Sequence, residues 1–572
     1  MAVLTSSTSH QVTKIMMYRK AILALLSALA SAVAEAYKVP SNPGISSQPF
    51  DSFVSYSIEF SSFPDFAGPS SPFLSSMPRE PTDSQSAGNI SHPNNYSYNL
   101  IRNIHAISSN YPIFRIGGNT QDFALYNSSQ PTSLVGIVDP KKSPDYPTTI
   151  TIGKFYFQSY KTWPGVKFSH GFNMGLGGKT VQGHRTLVDT VPLACEAIRH
   201  GSLYAWEYSN EPDLFTSGAY APRPKGWKET NMVAEWLDGT DEIRSQAKRY
   251  CPDLEVRFIA PSNAGVYNSL KASRMWAAGL NRRGDIGLFS AHNYIDGAKV
   301  PGVTLQGTLM NHTRTKVSVD SHIAEYKSIF SKTKSPPPLI FGETNSLYNQ
   351  GRPGLSNTFG AALWAVNFNM YSASAGIKRV HMHQGTNYRQ YQAWQPITTN
   401  LDTIGTKAPY YASVAVAHMS RRANQVPVSI SNIPLSSDAE SAYAAHFSPR
   451  GGVGQLARLM VVNMHGYNTT VEGAGLQPLP NPPKRTVRKY RFLVQGVREG
   501  VSAVVHRLMA NGSDAITGIT YDGWSYNHDL DEGKPVRLRN MTVGEEVLVK
   551  GGHVEVHVAD SSVAILSFGN EY

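Results

Sequence analysis

Short apolar runs rich in β-branched and aromatic residues recur through the first two thirds of the chain. They fall at residues 53–60, 112–117, 166–172, 204–209, 254–260, 286–290, 339–342 and 377–383. Runs of this length and character suit strands buried on both faces of a parallel sheet. Stretches with helical spacing lie between several of them, at 187–199, 233–250, 269–280, 322–331 and 359–375. Strands alternating with helices in this way predict an α/β fold, a (β/α)8 TIM barrel. Two long insertions interrupt the alternation. Residues 61–93 are rich in Ser and Pro, and residues 120–164 contain a hairpin-like piece at 148–156. Both follow strand ends, where loops lie over the C-terminal face of a barrel and shape its site.

After about residue 420 the helical period fades and alternating strands take over, at 442–447, 457–464, 489–494, 501–508, 546–550 and 553–568. This pattern predicts an all-β sandwich of antiparallel strands. The expected division is a signal peptide over 1–36, a catalytic barrel over 37–400 and a β-sandwich accessory domain over 401–572.

A chain of 572 residues is too long for one ordinary core, which agrees with two domains. Its 41% hydrophobic content, with abundant Gly, Pro and Tyr, suits a loop-rich enzyme rather than a disordered chain or a helical bundle. The formal net charge of +11 would attract a polyanion or simply keep the protein soluble. No Lys/Arg run, zinc-ligand spacing or nucleic-acid motif accompanies it, so a nucleic-acid partner is not expected. At the N-terminus, Lys14, Arg19 and Lys20 precede an apolar run over 21–30, and Ala34-Glu35-Ala36 then offers a cleavage site. This is the pattern of a signal peptide, with a run too short to span a bilayer, and no later segment reaches the roughly 18 apolar residues needed. The expected location is therefore secreted and extracellular. Asn-X-Ser/Thr sequons at Asn89, Asn95, Asn127, Asn311, Asn468, Asn511 and Asn540 are compatible with export. Cys195 and Cys251 could pair in an oxidising compartment or remain buried thiols. The oligomeric state is not legible.

The chemistry enters at two strand ends. In the segment 204–213 a strand runs into Asn210-Glu211-Pro212, where proline lacks the donor that a ladder needs. By strand parity Glu207, Ser209 and Glu211 share a face, with Glu207 down in the barrel and Glu211 at its lip. In the segment 336–346 a second apolar strand ends in Gly342-Glu343. Two carboxylates facing one another over a barrel mouth meet the needs of glycosidic cleavage: one protonated to help the leaving oxygen depart, the other ionised to attack or to activate water. His170, His292, His381 and His383 lie near strand ends, but no ligand spacing of a metal hydrolase is present. Hydrogen bonding around the carboxylates is the expected use of these histidines, and neither metal nor cofactor is expected.

The segments 53–60, Arg115-Ile-Gly-Gly-Asn119, Tyr208-Ser-Asn-Glu-Pro-Asp213, Phe289-Ser-Ala-His-Asn-Tyr294 and Phe341-Gly-Glu-Thr-Asn-Ser346, in this order, resemble glycoside hydrolase family 79, the β-glucuronidase and heparanase-like group. The resemblance spans most of residues 50–390 and implies residue roles. Glu211 would be acid/base and Glu343 nucleophile. Asn210 would bind the sugar 2-hydroxyl, and Tyr294 would hydrogen-bond the nucleophile. Glu59 and Asn119 would bind sugar hydroxyls, while Tyr348, Gly385 and Tyr388 would hold the uronate carboxylate. Lys378 and Arg389 are alternative holders of that carboxylate. Arg115 would either keep Glu343 ionised or pair with buried Glu207. Trp206, Trp394 and Tyr391 would stack on sugars or pack in the core.

The implied reaction is retaining exo-hydrolysis of a terminal β-linked glucuronate, or its 4-O-methyl form, from a glucuronic-acid-containing oligo- or polysaccharide. The alternatives are an endo-acting member of the same family and a non-catalytic carbohydrate-binding barrel.

Overall fold

Eight parallel strands close into a barrel: β1 (Val54–Glu59), β2 (Ile113–Gly117), β3 (Lys167–Phe172), β4 (Leu203–Tyr208), β5 (Phe258–Asn263), β6 (Ile286–Gly297), β7 (Leu339–Tyr348) and β8 (Val380–Gln384). The computed structural model describes residues 36–40, 47–68, 92–141, 146–217, 221–388, 390–422, 426–447 and 454–569. The expected signal peptide up to residue 35, Asn89, Arg389 and residues 69–91 of the first insertion lie outside the described residues. β8 returns to β1 in register from Val380 opposite Val54 to Gln384 opposite Ile58. The barrel has no edge strand, and the strands are buried on both faces, as their unbroken apolar runs require.

The outer helices are α1 (Asn95–Ser108), α2 (Val181–Ile198), α3 (Glu229–Tyr250), α4 (Ala272–Ala277), α5 (His312–Phe330), α6 (Phe359–Ala375) and α7 (Ala408–Ser420). Side-chain caps start several of them. Thr180 accepts from Gly183 N (2.9 Å) at α2, and Asn311 accepts from Arg314 N (2.9 Å) at α5. Between β2 and β3 the insertion stands in place of a helix. The piece expected as a hairpin at 148–156 is one strand, Thr149–Ile152, between Ala124–Tyr126 and Leu134–Ile137, followed by a 3-10 helix over Lys154–Lys161.

Two segments fall across the expected domain boundary. α7 lies beyond residue 400 yet packs on α1 and α6, completing the outer ring. Tyr37–Lys38 joins not the barrel but the strand Val487–Leu493 of the sandwich, in parallel register. A two-residue strand has no period to read, and α7 is buried nearly all round, so it lacks an amphipathic stripe.

The sandwich stacks a large antiparallel sheet, built around Val428–Ile433, Glu440–Phe447, Gln455–Asn463, Ser562–Phe568 and Ser502–Met509, on a small sheet that includes Val487–Leu493 and His553–Ala559. The expected strand over 553–568 is two strands with a turn at Asp560 and Ser561. α6 bridges the domains. Its residues from Phe359 to Ala373 are all buried, and it packs on both α7 and Val428–Ile433. Tyr443 of the sandwich donates to Asn367 Oδ1 of α6 (2.7 Å). Cys195 at the end of α2 and Cys251, which caps α3, form a disulfide. No described helix is long and apolar enough to cross a membrane.

Candidate active site

The C-terminal mouth of the barrel opens into a cavity of about 740 Å³. Glu59, Asn119, Glu211, Tyr294, Glu343, Tyr348 and Tyr388 all line it. Of the remaining expected site residues, Asn210 bonds Asn119 of the lining and Gly385 packs against Glu59 and Tyr388.

Glu211 does not reach the mouth by strand parity. β4 ends at Tyr208, and Ser209 (φ 104°) and Glu211 (φ 50°) both occupy the left-handed region that non-glycine residues avoid. Backbone hydrogen bonds hold this corner. Glu211 N donates to Ser262 O (3.0 Å), and Asn210 N donates to Asp122 Oδ2 (2.9 Å). Glu343 sits within β7, which continues to Tyr348 rather than stopping at Gly342. Likewise β6 continues to Gly297 and carries His292 and Tyr294. The drop in hydropathy marks the site, not the strand ends, because the buried polar side chains there find partners in each other.

A carboxylate oxygen of Glu211, one of Glu343 and a ring nitrogen of His292 all lie within 4.8 Å of one another. Their surroundings differ. Glu343 Oε2 accepts from Arg115 Nη1 (2.6 Å), and Glu343 Oε1 accepts from the Tyr294 hydroxyl (2.7 Å). His383 Nδ1 is 3.7 Å from Glu343 Oε2. Burial disfavours the charge on Glu343, but His383, His292 and Arg115 outweigh it together with the Tyr294 hydrogen bond, and hold its pKa well below the usual carboxylate range. Glu211 has no such support. Burial raises its pKa first, the charge of Glu343 raises it further, and Arg115 and His383 offset this only in part. Its Oε1 lies 3.0 Å from His292 Nδ1. Burial lowers His292 to about 4, so near neutral pH the ring is uncharged and can accept a hydrogen bond from protonated Glu211. The site therefore holds one ionised and one protonated carboxyl side by side.

Arg115 performs both of the duties expected as alternatives. It is fully buried; Nε donates to Glu207 Oε2 (2.7 Å), Nη1 to Glu343, and Nη2 to Asn210 Oδ1 (2.7 Å). Only a guanidinium can serve three acceptors in these directions. Asn210 passes the order outward, donating to Asn119 Oδ1 (3.1 Å).

Glu59 is buried, not a free group at the lip. Oε1 accepts from Thr120 N (2.8 Å) and from the Thr120 hydroxyl, and Oε2 accepts from the Tyr388 hydroxyl (2.9 Å). His383 Nε2 lies 3.4 Å from the same Oε2. Glu59 and Glu343 thus flank the His383 ring; burial opposes the imidazolium, but these two charges raise its pKa. Gly118 (φ +96°) is required beside Glu59, because a Cβ there would meet both carboxylate oxygens at 2.7 Å. Tyr388 is buried with its hydroxyl on Glu59, whereas Tyr348 is exposed at the rim. Gly385 lets Tyr388 close on it, its carbonyl accepting from Tyr388 N (3.0 Å).

Other expected candidates lie elsewhere. Lys378 bonds the Gln48 carbonyl at the start of β8, and Trp206 is buried in the core. Trp394 is also buried, donating to Ser97 Oγ (3.0 Å). Tyr391 does line the cavity. His170 bonds the Tyr160 hydroxyl, and His381 bonds the Phe341 carbonyl. Glu211, His292 and Glu343 form a set that could ligate a metal, but both oxygens of Glu343 already accept from Arg115 and Tyr294, and a cation would face the guanidinium. Asp122 and Asp213 escaped sequence reading. Asp122 Oδ1 accepts from Met174 N and Gly175 N (2.7 Å each), tying the loop after β3 to the Asn210 corner. Asp213 accepts from Ala264 N (2.9 Å) and Asn268 Nδ2 (2.7 Å), pinning the loop after β5. The one signal for Asp213 was its place in the Asn-Glu-Pro-Asp motif.

Residues 442–565 match the glycosyl hydrolase family 79 C-terminal beta domain. The chain is 54% identical over 527 residues to a β-glucuronidase of Neurospora crassa, covering 88% of each chain. It is 47% identical to a β-glucuronidase of Aspergillus niger, covering 90% of each. The fold matches that of a crystal structure of a 4-O-α-L-rhamnosyl-β-D-glucuronidase from Fusarium oxysporum, at 21% identity and a TM-score of 0.69, over 93% of this chain and 99% of that one. With a barrel, a sandwich and relatives aligned over nearly the whole chain, this protein is a glycoside hydrolase and belongs to family 79.

Proposed function

We propose that the protein is a retaining exo-β-glucuronidase in which Glu343 is the nucleophile and Glu211 the acid/base. The carrying observation is the proximity of the two carboxylates, with oxygens within 4.8 Å, in opposite electrostatic environments. Retaining enzymes hold the pair roughly 5–5.5 Å apart, whereas inverting enzymes leave room for a water between them. Glu343 attacks the anomeric carbon as the glycosidic C–O bond breaks, and Glu211 gives its proton to the departing oxygen. Once Glu343 is esterified, its charge no longer raises the pKa of Glu211. Glu211 then takes a proton from water as the water attacks the anomeric carbon and releases Glu343.

The glucuronyl specificity rests on the two relatives, both β-glucuronidases. Exo action is supported by the wall beside β1 and β2. There Tyr146, from the insertion after β2, approaches Asn119 Nδ2 at 3.5 Å and packs edge-on to Tyr388, limiting the space beyond one sugar ring. Tyr348, Gly385 and Tyr388 are proposed to hold the uronate carboxylate, with the Tyr348 hydroxyl free to donate at the rim. The protein is further proposed to be exported. The apolar run at 21–30 supports this, as does the exposure of Asn95, Asn127, Asn468, Asn511 and Asn540 among the described sequons.

The test is release of the aglycone from an aryl β-glucuronide, set against an aryl β-glucoside and a polymer with only internal glucuronate. Turnover of the first alone supports the reading. Cleavage of the polymer would overturn exo action, and turnover of no glycoside would leave a binding protein.

A further inference from the structure

The cavity spans the barrel mouth, and its two sides differ in character. On the side of β8, β1 and β2 the lining is polar and interlocked, with the Tyr388 hydroxyl and the His383 ring both against the Glu59 carboxylate. β5 lies diametrically across from β1 in the closed strand order. On that opposite side, the loops after β4 and β5 and the first turns of α5 contribute Leu214, Val266, Tyr267 and Val317. Tyr267 is 84% exposed, Val317 65% and Leu214 38%, although each lines a concave surface. Clustered apolar side chains left open to water inside a cavity mark a binding surface.

Among the described residues, the charges near this wall are engaged: Lys271 Nζ donates to the Val266 carbonyl (2.9 Å). Arg314 pairs with Asp296 Oδ2 (2.9 Å), and Glu325 lies outside the lining. His322 is buried, its Nε2 on Asn293 Oδ1 (3.1 Å), with burial lowering its pKa to about 4. The loop carrying Tyr267 is held in place by Asp213, which directly follows the Glu211 corner. Glu211 itself lies toward this side, its carboxylate against His292 of β6.

We propose that Leu214, Val266, Tyr267 and Val317 form the subsite for the leaving group, and that it takes a neutral sugar whose apolar C–H face lies on the Tyr267 ring. The assignment rests on the reading of Glu211 as acid. An acid must stand next to the oxygen that departs, so the departing sugar occupies the ground beyond Glu211, away from Glu59. The negative face of an aromatic ring attracts the weakly positive C–H hydrogens of a pyranose and excludes water from them. A second uronate would have to compete with Asp296 for Arg314 and with the Val266 carbonyl for Lys271 to offset its desolvation.

The experiment compares Tyr267→Ala and Tyr267→Phe with the parent on three probes: β-glucuronosyl-glucose, β-glucuronosyl-glucuronate and β-glucuronosyl fluoride. Fluoride fills no leaving-group subsite, so its release reports the catalytic pair and folding alone. The expected result is a loss of about tenfold in kcat/KM on β-glucuronosyl-glucose for Tyr267→Ala, recovery in Tyr267→Phe, and unchanged fluoride release. The parent is expected to prefer the neutral disaccharide to the anionic one. Equal losses on fluoride and disaccharide, no loss on either, or preference for the anionic disaccharide would overturn the subsite. A parent that hydrolyses none of the three would instead overturn the proposed function.

Discussion

At the level of single residues, the site is an arrangement of charge. Glu343 touches a guanidinium and a phenol and faces the His383 ring, whereas Glu211 touches only an uncharged imidazole. Catalysis needs Glu343 ionised and Glu211 protonated, so kcat/KM should follow a bell-shaped pH profile. The Glu343 pKa is depressed, which places the acid limb below the ordinary carboxylate range. The Glu211 pKa is raised, which places the alkaline limb above it. His383→Gln removes a positive neighbour of Glu343 and should move the acid limb to higher pH; a merely structural ring would lower kcat without moving it. Arg115→Lys should cost about a hundredfold in kcat, since one ammonium cannot serve Glu207, Asn210 and Glu343 together. Steady-state kinetics with that variant checks this, and near-normal kcat would contradict it. Both carboxylates were legible as the acids that close apolar runs, although Glu211 lies in a corner past β4 and Glu343 within β7. The double duty of Arg115 was not, because three acceptors from β4, the turn after it and β7 converge only in the closed barrel. The partners of Glu59 were hidden for a related reason: a glutamate at a strand end looks free until Thr120 and Tyr388 are seen to bind it.

At the level of elements, the barrel strands were readable because burial on both faces leaves a nearly unbroken apolar run. β6 and β7 were read short because their last residues are polar and belong to the site. α6 was legible at 359–375 although it is buried all round, whereas α1, despite an apolar stripe, and α7, which is buried nearly all round, were not read. The corner after β4 depends on Asp122, which accepts from three backbone N–H groups. Asp122→Asn puts an amide donor against one of those donors. It should lower kcat about tenfold with little change in KM, because the sugar contacts remain while Glu211 shifts. An unchanged kcat would show that the corner holds itself. The disulfide between α2 and α3 closes a loop of 56 residues, which on chain-entropy grounds contributes about 4 kcal/mol. Replacing Cys195 and Cys251 by Ala should lower the unfolding midpoint while leaving kcat unchanged, as read by thermal melting beside an activity assay.

For the molecule as a whole, the sandwich is part of the barrel's packing. α6 is buried on every side because one face meets the barrel and another meets Val428–Ile433. A chain ended at residue 422 would expose that face and the Asn367 contact to Tyr443. It should be insoluble or unfolded, and a soluble, active truncated barrel would contradict this view of the interface. The two-domain plan was legible from the change of period near residue 420, but the pairing of Tyr37–Lys38 with the sandwich was not, since it joins residues far apart in sequence.

The most direct test of the account uses a 2-fluoro-β-glucuronosyl inactivator with a good leaving group, followed by mass spectrometry of the digested protein. The expected result is one glucuronosyl adduct per chain, on the peptide carrying Glu343. Adduct on the Glu211 peptide, or inactivation without any covalent label, would contradict the assignment of the two carboxylates.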